Sequence, residues 1–186
     1  MTAITPGSFR VIAVNRSYQL VPWAECLYAA DAGFWKHYKA TGFKGWRFCA
    51  DETIRYIDAS VHAVKIARDP KDRRLTEMVA GPIGTVGFGG NSGYQAVNLA
   101  AQFGARRILL VGFDYCGAHW HPDHPKTLRN PTGAEFRRWA MDLDRAAGTL
   151  KSWGIEVLNL SPVSKLRAFP YADSRLFDSG QRPLSA

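Results

Sequence analysis

Between Gly84 and Cys116 a glycine-rich loop, an alanine-rich amphipathic segment and an apolar run follow one another without a gap. The loop includes Gly84, Gly87, Gly89, Gly90 and Gly93; the apolar run is Ile108-Leu109-Leu110-Val111, closed by Gly112-Phe113-Asp114. Loop, helix and buried strand in that order restrict a chain to an α/β arrangement. Backbone N–H groups at a helix N-terminus can hold an anion. A polar residue at the carboxyl end of a buried strand lies where such sheets bind ligands, which singles out Asp114. Asn91 or Ser92 is predicted to cap a helix that runs to Phe103 and stops at Gly104. Tyr94, Val97 and Ala101 share one face of it, and Ala96 and Ala100 are small enough to pack closely on a sheet. The unbroken apolar run reads as a strand covered on both faces.

The flanking sequence repeats the alternation. Phe9 to Val14 reads as a buried strand that ends at Asn15-Arg16-Ser17-Tyr18. Pro22-Trp23-Ala24 opens a single helical turn, and Cys26 to Ala30 is a second buried strand. Asp31 occupies an N-cap position ahead of Phe34, Trp35 and Tyr38, which share a helical face until Gly42. Asp31 also lies at a strand's end, where a ribose or base could meet it. Trp46 to Cys49 is a third strand, followed by a short segment from Asp51 to Ile57. Ser60 to Ala67 alternates imperfectly and reads as a further strand, and Arg68 to Glu77 as a charged surface loop. Beyond Asp114, a long polar loop to Pro131 carries three of the five histidines. Loops of that length in compact domains tend to be functional or disordered. Thr132-Gly133-Ala134-Glu135 is a capping box. Phe136, Trp139, Ala140, Leu143, Ala147 and Leu150 mark the buried face of the following helix, ended by Gly154. Ile155 to Leu160 is a last strand. Ser161-Pro162 opens a closing helix from Val163 to Phe169, and the pattern fades from Tyr171 onward. Strands alternating with helices predict a Rossmann-like three-layer sandwich with a mostly parallel sheet: one domain, core 9–169, with 171–186 a loosely ordered tail.

Totals narrow the function. With 186 residues, 46% hydrophobic and 22% charged, the chain has a globular balance and can bury a core without disulfides. Cys26, Cys49 and Cys116 form no C-x-x-C pair, so a reducing cytoplasm is expected rather than a disulfide framework or zinc ribbon. No apolar run is long enough to span a membrane, and Met1 to Ser8 lacks the pattern of a signal peptide. The net charge of +8 admits an anionic partner: a nucleotide, a phosphorylated substrate or nucleic acid. Dispersal of the basic residues favours a local phosphate pocket or a plain basic surface over a long nucleic-acid groove.

Two constellations carry chemistry. The glycines fit neither a Walker A loop, since no Gly-Lys-Ser/Thr follows, nor the dinucleotide fingerprint, since the spacing fails and no preceding strand is clear. The second is His119-Trp120-His121-Pro122-Asp123-His124. This H-x-H-x-D-H string matches the ligand pattern of metallo-β-lactamase-type hydrolases, in which His119, His121, Asp123 and His124 would bind Zn²⁺ and activate water. Those enzymes need further histidines downstream, and none follows His124. A histidine cluster that handles protons or phosphate is the competing reading.

Asn91-Ser92-Gly93-Tyr94, the alanine-rich helix and Gly104-Ala105-Arg106-Arg107-Ile108-Leu109-Leu110-Val111-Gly112-Phe113-Asp114 together resemble a superfamily of Rossmann-like transferases. It includes bacterial sialyltransferases of the Campylobacter type, flagellin-glycosylating motility accessory factors, the archaeal 6-hydroxymethylpterin pyrophosphokinase and many phage proteins. Val11 to Tyr18 and Val157 to Leu166 agree in order, so the resemblance spans Phe9 to Phe169. It implies a nucleotide- or nucleotide-sugar-dependent transferase. Asn15, Asp31, Asn91, Ser92 and Gly93 would hold the nucleotide. His124, with His119 the alternative, would be the general base toward the acceptor. Asp114, His119, His121 and His124 would carry proton transfer or bind a divalent ion, Mg²⁺ or Zn²⁺. Three departures accompany it: Pro6-Gly7-Ser8 replaces the family's opening Gly-x-Gly-Pro-Ser loop; Cys116, next to Tyr115, falls where the sialyltransferases place a tyrosine against the leaving phosphate; and the loop carries the H-x-H-x-D-H string, which admits a metal. The open readings are glycosyl transfer, pyrophosphoryl or nucleotidyl transfer, and a non-catalytic nucleotide-binding phage accessory protein. Homo-oligomerisation stays open as well.

Overall fold

A computed structural model describes residues 9–40, 42–69, 71, 76–117, 121, 124–125, 128, 130–173 and 175. Strands β1 (Ile12–Val14), β2 (Cys26–Tyr28), β3 (Trp46–Cys49) and β4 (His62–Ala63) form a sheet in sequence order. The register is parallel throughout, with Ile12 opposite Cys26, Cys26 opposite Trp46, and Phe48 opposite His62. Strands β5 (Lys65–Ile66) and β6 (Thr85–Val86) make a second parallel pair, and β7 (Arg107–Leu110) and β8 (Glu156–Asn159) a third. The protein is thus α/β with parallel pairing, as the alternation predicts. Its described strands fall into three small ladders rather than one sheet. Parallel neighbours require crossovers. Helix α1 (Ala32–Tyr38) joins β2 to β3, α2 (Ser92–Gln102) joins β6 to β7, and α3 (Gly133–Ser152) joins β7 to β8.

Successive strand residues point to opposite faces, and the core divides accordingly. Ala13, Leu27 and Cys49 pack with Phe34 and Trp35 of α1. Their neighbours Ile12, Tyr28 and Phe48 belong to a second cluster with Ala96 and Leu99 of α2. Helix α2 has a second buried face: Tyr94 and Val97 pack with Ile108 and Leu110 of β7 and with Ala140, Leu143 and Leu150 of α3. An alanine-rich helix suits this position because it is apolar on two sides.

Local signals act where they are predicted. Thr132 Oγ1 accepts the Glu135 amide at 3.3 Å and Glu135 Oε2 accepts the Thr132 amide at 2.9 Å, so the capping box forms. Other expectations change. Asp31 makes no side-chain cap to α1. The Asp51 carboxylate, just past β3, accepts the Thr53 amide at 2.9 Å, and the Ala32 amide at the start of α1 also helps to lower it. Helix α1 stops at Tyr38, ahead of Gly42, because Lys39 and Ala40 turn to left-handed φ values of 55° and 42°. The turn expected at Pro22 forms, with the Ala24 amide on Val21 O at 3.0 Å, and a 3-10 helix over Asn15–Gln19 precedes it. The strand expected over Ser60 to Ala67 breaks at Val64: the Val64 amide bonds Cys49 O at 2.7 Å, and the Lys65 amide has moved on to Gly84 O at 2.8 Å. A strand, β6, does precede the glycines.

The closing helix over Val163 to Phe169 is not formed. Its amides are taken by side chains: Asp144 of α3 accepts from Arg167 and Ala168, and Ser164 Oγ accepts from Leu166 at 3.2 Å. Tyr171 does not fray: the Ala172 amide bonds Asn159 O and the Asn159 amide bonds Pro170 O, both at 2.9 Å. Residues 176–186 lie outside the described residues.

Candidate functional site

The start of α2 is built from long-range bonds. Asn91 Oδ1 accepts the Tyr94 amide at 3.0 Å, completing the predicted cap, and its Nδ2 donates to Gly89 O at 3.1 Å. Ser92 Oγ accepts the Ala30 amide at 3.0 Å, so the helix start is fastened to the chain just beyond β2. The Ala30 carbonyl in turn accepts from Cys49 Sγ at 3.3 Å. Burial pushes the Cys49 thiol up to about 12, which keeps it a donor. Ala30 is therefore clamped from both sides, and the clamp sets the position of Asp31. At Gly93, a Cβ would stand 3.0 Å from the Phe113 ring, so a larger residue would push back the segment that follows β7.

These contacts bring Asp31, Asn91, Ser92 and Gly93 together. Asn15 follows β1, the strand paired with β2, and has a φ of 49°. Asparagine tolerates that left-handed conformation better than most residues. The carboxyl of Asp31 is raised above its ordinary range, first by desolvation and then by the nearby Asp51 carboxylate. Asp51 itself is lowered, chiefly by the Thr53 hydroxyl and amide. Asp31 thus stands uncapped at a strand's carboxyl end, which makes it an acceptor available to a ligand hydroxyl.

The glycine stretch preceding this point is not an open anion cradle. Gln102 Oε1 accepts the Gly84 amide at 3.0 Å, and Asn98 Oδ1 accepts the Gly87 and Val79 amides at 2.8 and 3.1 Å. Gln95 Nε2 donates to Phe88 O at 2.7 Å while its Oε1 accepts from the buried Tyr28 hydroxyl at 2.8 Å. Three carboxamides along one side of α2 bind this loop to the helix. Sequence reasoning passed over them, although Gln95, Asn98 and Gln102 recur at helical spacing inside an otherwise apolar helix.

At the end of β7, the Asp114 carboxylate accepts from Ser161 Oγ, and Asp114 O accepts the Lys165 amide at 2.9 Å. Asp114 thereby ties the ends of β7 and β8 together. Cys116 Sγ donates to Val163 O at 3.3 Å. Tyr115, at φ 51°, has a fully buried hydroxyl without a well-formed hydrogen bond. It lies beside Asn91, whose amide already serves Tyr94 and Gly89. Burial pushes the Tyr115 phenol up.

The histidine loop folds onto α1. Tyr38 Oη and His124 Nδ1 are 2.8 Å apart, and the His124 backbone is bracketed by Asn130, at 2.8 Å to its amide and 3.2 Å to its carbonyl. The Arg16 guanidinium lies 5.4 Å from the Tyr38 ring centre, which joins the loop to the residue after Asn15. Leu128 reaches Gly33, where a Cβ would be 3.1 Å from its Cδ2. His121 is buried, with its ring 4.9 Å from that of His124. The described residues of the loop thus meet α1 at Gly33 and Tyr38. His124 and Asp114, both expected to move protons, are held by different partners. His119 and Asp123 lie outside the described residues, and among the described residues no three His, Cys, Asp or Glu side chains group as a metal site. No helix among the described residues is long and apolar enough to cross a membrane. No family model, no curated protein and no solved structure matches this chain.

Proposed function

We propose that the protein is a nucleotide- or nucleotide-sugar-dependent transferase on a Rossmann-like layered framework, of the superfamily its sequence resembles. The observation that carries this reading is the Ser92 Oγ to Ala30 bond at 3.0 Å, which sets the N-terminus of α2 beside Asp31 at a strand's carboxyl end. That is where parallel α/β proteins take nucleotides. Asn15 and Asp31 contact the nucleoside from adjacent strand ends, and Asn91, Ser92 and Gly93 border its phosphate side. His124, oriented through Nδ1 by Tyr38, takes the proton of the acceptor. Asp114 acts through its tether to Ser161, which holds the root of the histidine loop.

A second reading, a nucleotide-binding protein without turnover, is favoured by one observation: Asp114 and Cys116 at the end of β7 are both bonded into the fold. Thermal unfolding with CMP, ATP, UDP-sugars and pterins tests both readings. One ligand class is expected to raise the melting temperature, by an amount equivalent to about 2.7 kcal/mol at a hundred times Kd. Asp31→Ala should abolish that shift. Turnover of the stabilising ligand then separates enzyme from binder, and no shift with any of them would sink both.

A further inference from the structure

Far from the strand ends, the surface carries a strip of rings. Trp46 opens β3 and is 62% exposed; Phe103, just past α2, is 48% exposed. Between them the rings form a continuous series: Trp46 to His62 at 5.2 Å, His62 to Phe48 at 5.7 Å, and Phe48 to Phe103 at 6.0 Å. The sheet explains the series. Trp46 and Phe48 alternate onto one face of β3, and His62 is the cross-strand partner of Phe48. Phe48 is partly buried against Ala96 and Leu99 of α2, and Trp46, His62 and Phe103 around it stay exposed.

None of the four side chains is aliphatic, which distinguishes the strip from an ordinary apolar docking face. Its charge is one-sided. Lys44, two residues before Trp46, and Arg106, three after Phe103, are exposed and make no ion pair among the described residues. The neighbouring acids are engaged: Asp58 by Ser60 and Arg47, Glu156 by Arg107, and Glu25 by the Val11 amide and Arg10. Gln102 and Gly104, either side of Phe103, line a hollow of about 260 Å3 together with Arg106 and Trp153. Exposed rings in series with unpaired cations suit unstacked bases on a polyanion, because every base has a π-face and each phosphate a charge. A duplex hides those faces. The chain's net charge of +8 acts in the same direction.

We propose that Trp46, His62, Phe48 and Phe103 form a stacking platform for single-stranded nucleic acid, flanked by Lys44 and Arg106. The platform is separate from the candidate nucleotide site. The two lie at opposite ends of α2, whose 11 residues span about 16 Å.

The test is fluorescence anisotropy of a labelled oligothymidylate of about 15 nucleotides with the full chain, at about 50 and about 200 mM salt. The single strand is expected to bind more tightly than a duplex of the same length. Trp46→Ala and Phe103→Ala should each weaken binding roughly tenfold while circular dichroism stays unchanged. Lys44→Glu with Arg106→Glu should flatten the salt dependence. Two exposed positions are used so that a folding defect in one variant does not decide the result. Absence of binding at the lower salt, equal affinity for duplex, or unchanged affinity in both ring variants would overturn the proposal. So would a wild-type dimer that Trp46→Ala turns into a monomer with oligonucleotide affinity unaltered, because the strip would then be a contact between copies of this chain.

Discussion

At the N-terminal end of α2, Asn91 caps the helix, Ser92 reaches back to Ala30, and Gly93 lies under the Phe113 ring. At the other end, the Phe103, Gly104 and Ala105 amides bond Leu99, Ala101 and Ala100 carbonyls of the same helix, and the Phe103 ring is left half in water. One end is finished by its own side chains, one of which reaches backbone from a distant strand end, and the other by its own backbone. Only the first can hold separate strand ends in a fixed relation, which a site for a rigid ligand needs. At the second, Gln102 is the side chain that reaches other backbone, and the Phe103 ring is left half exposed.

The contrast can be broken hardest between the two ends. Asn98→Leu leaves the Gly87 and Val79 amides without their acceptor, while the Val79 carbonyl keeps Gln102 Nε2 at 3.0 Å. A loss of about 3 kcal/mol or more is expected in chemical denaturation, since each buried orphan costs about 1–3 kcal/mol. Ser92→Ala should cost about 1–2 kcal/mol by orphaning the Ala30 amide, and should weaken any nucleotide-dependent rise in melting temperature.

The two carboxylates near α1 sharpen the comparison through pH. Asp51 is lowered in the fold, so it adds stability above its unfolded pKa that is lost as pH falls through its folded one. Asp51→Asn should therefore destabilise at neutral pH, by about 1 kcal/mol or less as for an exposed cap, and the difference should shrink as acid protonates Asp51 in the fold. Asp31 is raised, and the sign reverses: its ionisation costs stability as pH rises from its unfolded toward its folded value. Asp31→Asn should stabilise the protein at neutral pH, and the gain should vanish in acid. Urea unfolding from pH 3 to 7 reads both. The smallest effect is expected from Tyr38→Phe, about 0.5–1.5 kcal/mol for one part-buried hydrogen bond, with the Tm shift on nucleotide binding retained.

How much of this was legible follows from where the partners lie. The Thr132–Glu135 box, the Asn91 cap and the helices at Gly104 and Gly154 use neighbours within a few residues, and pattern reading finds them. Asp51 comes near the start of α1 because β3 lies beside β2, a fact of register that spacing does not contain. The closing helix fails because Asp144, more than twenty residues earlier, takes its amides. Of the candidate site, Asn91, Ser92 and Gly93 were legible as a helix start. The destination of the Ser92 hydroxyl was not, nor was the bond that holds Asp114. The carboxamide row at Gln95, Asn98 and Gln102 was visible but unused, because polar side chains in an apolar helix read as its solvent face until a loop is laid against them.

That row has a kinetic consequence. The amide protons of Val79, Gly84 and Gly87 are held by acceptors that exist in place only while α2 is wound. The glycine stretch cannot open by itself in the manner of a surface loop, and it melts with the helix as a single cooperative unit. In deuterium oxide those three protons should exchange on the timescale of the middle of α2, so the most glycine-dense part of the chain should be among its slowest to let solvent in.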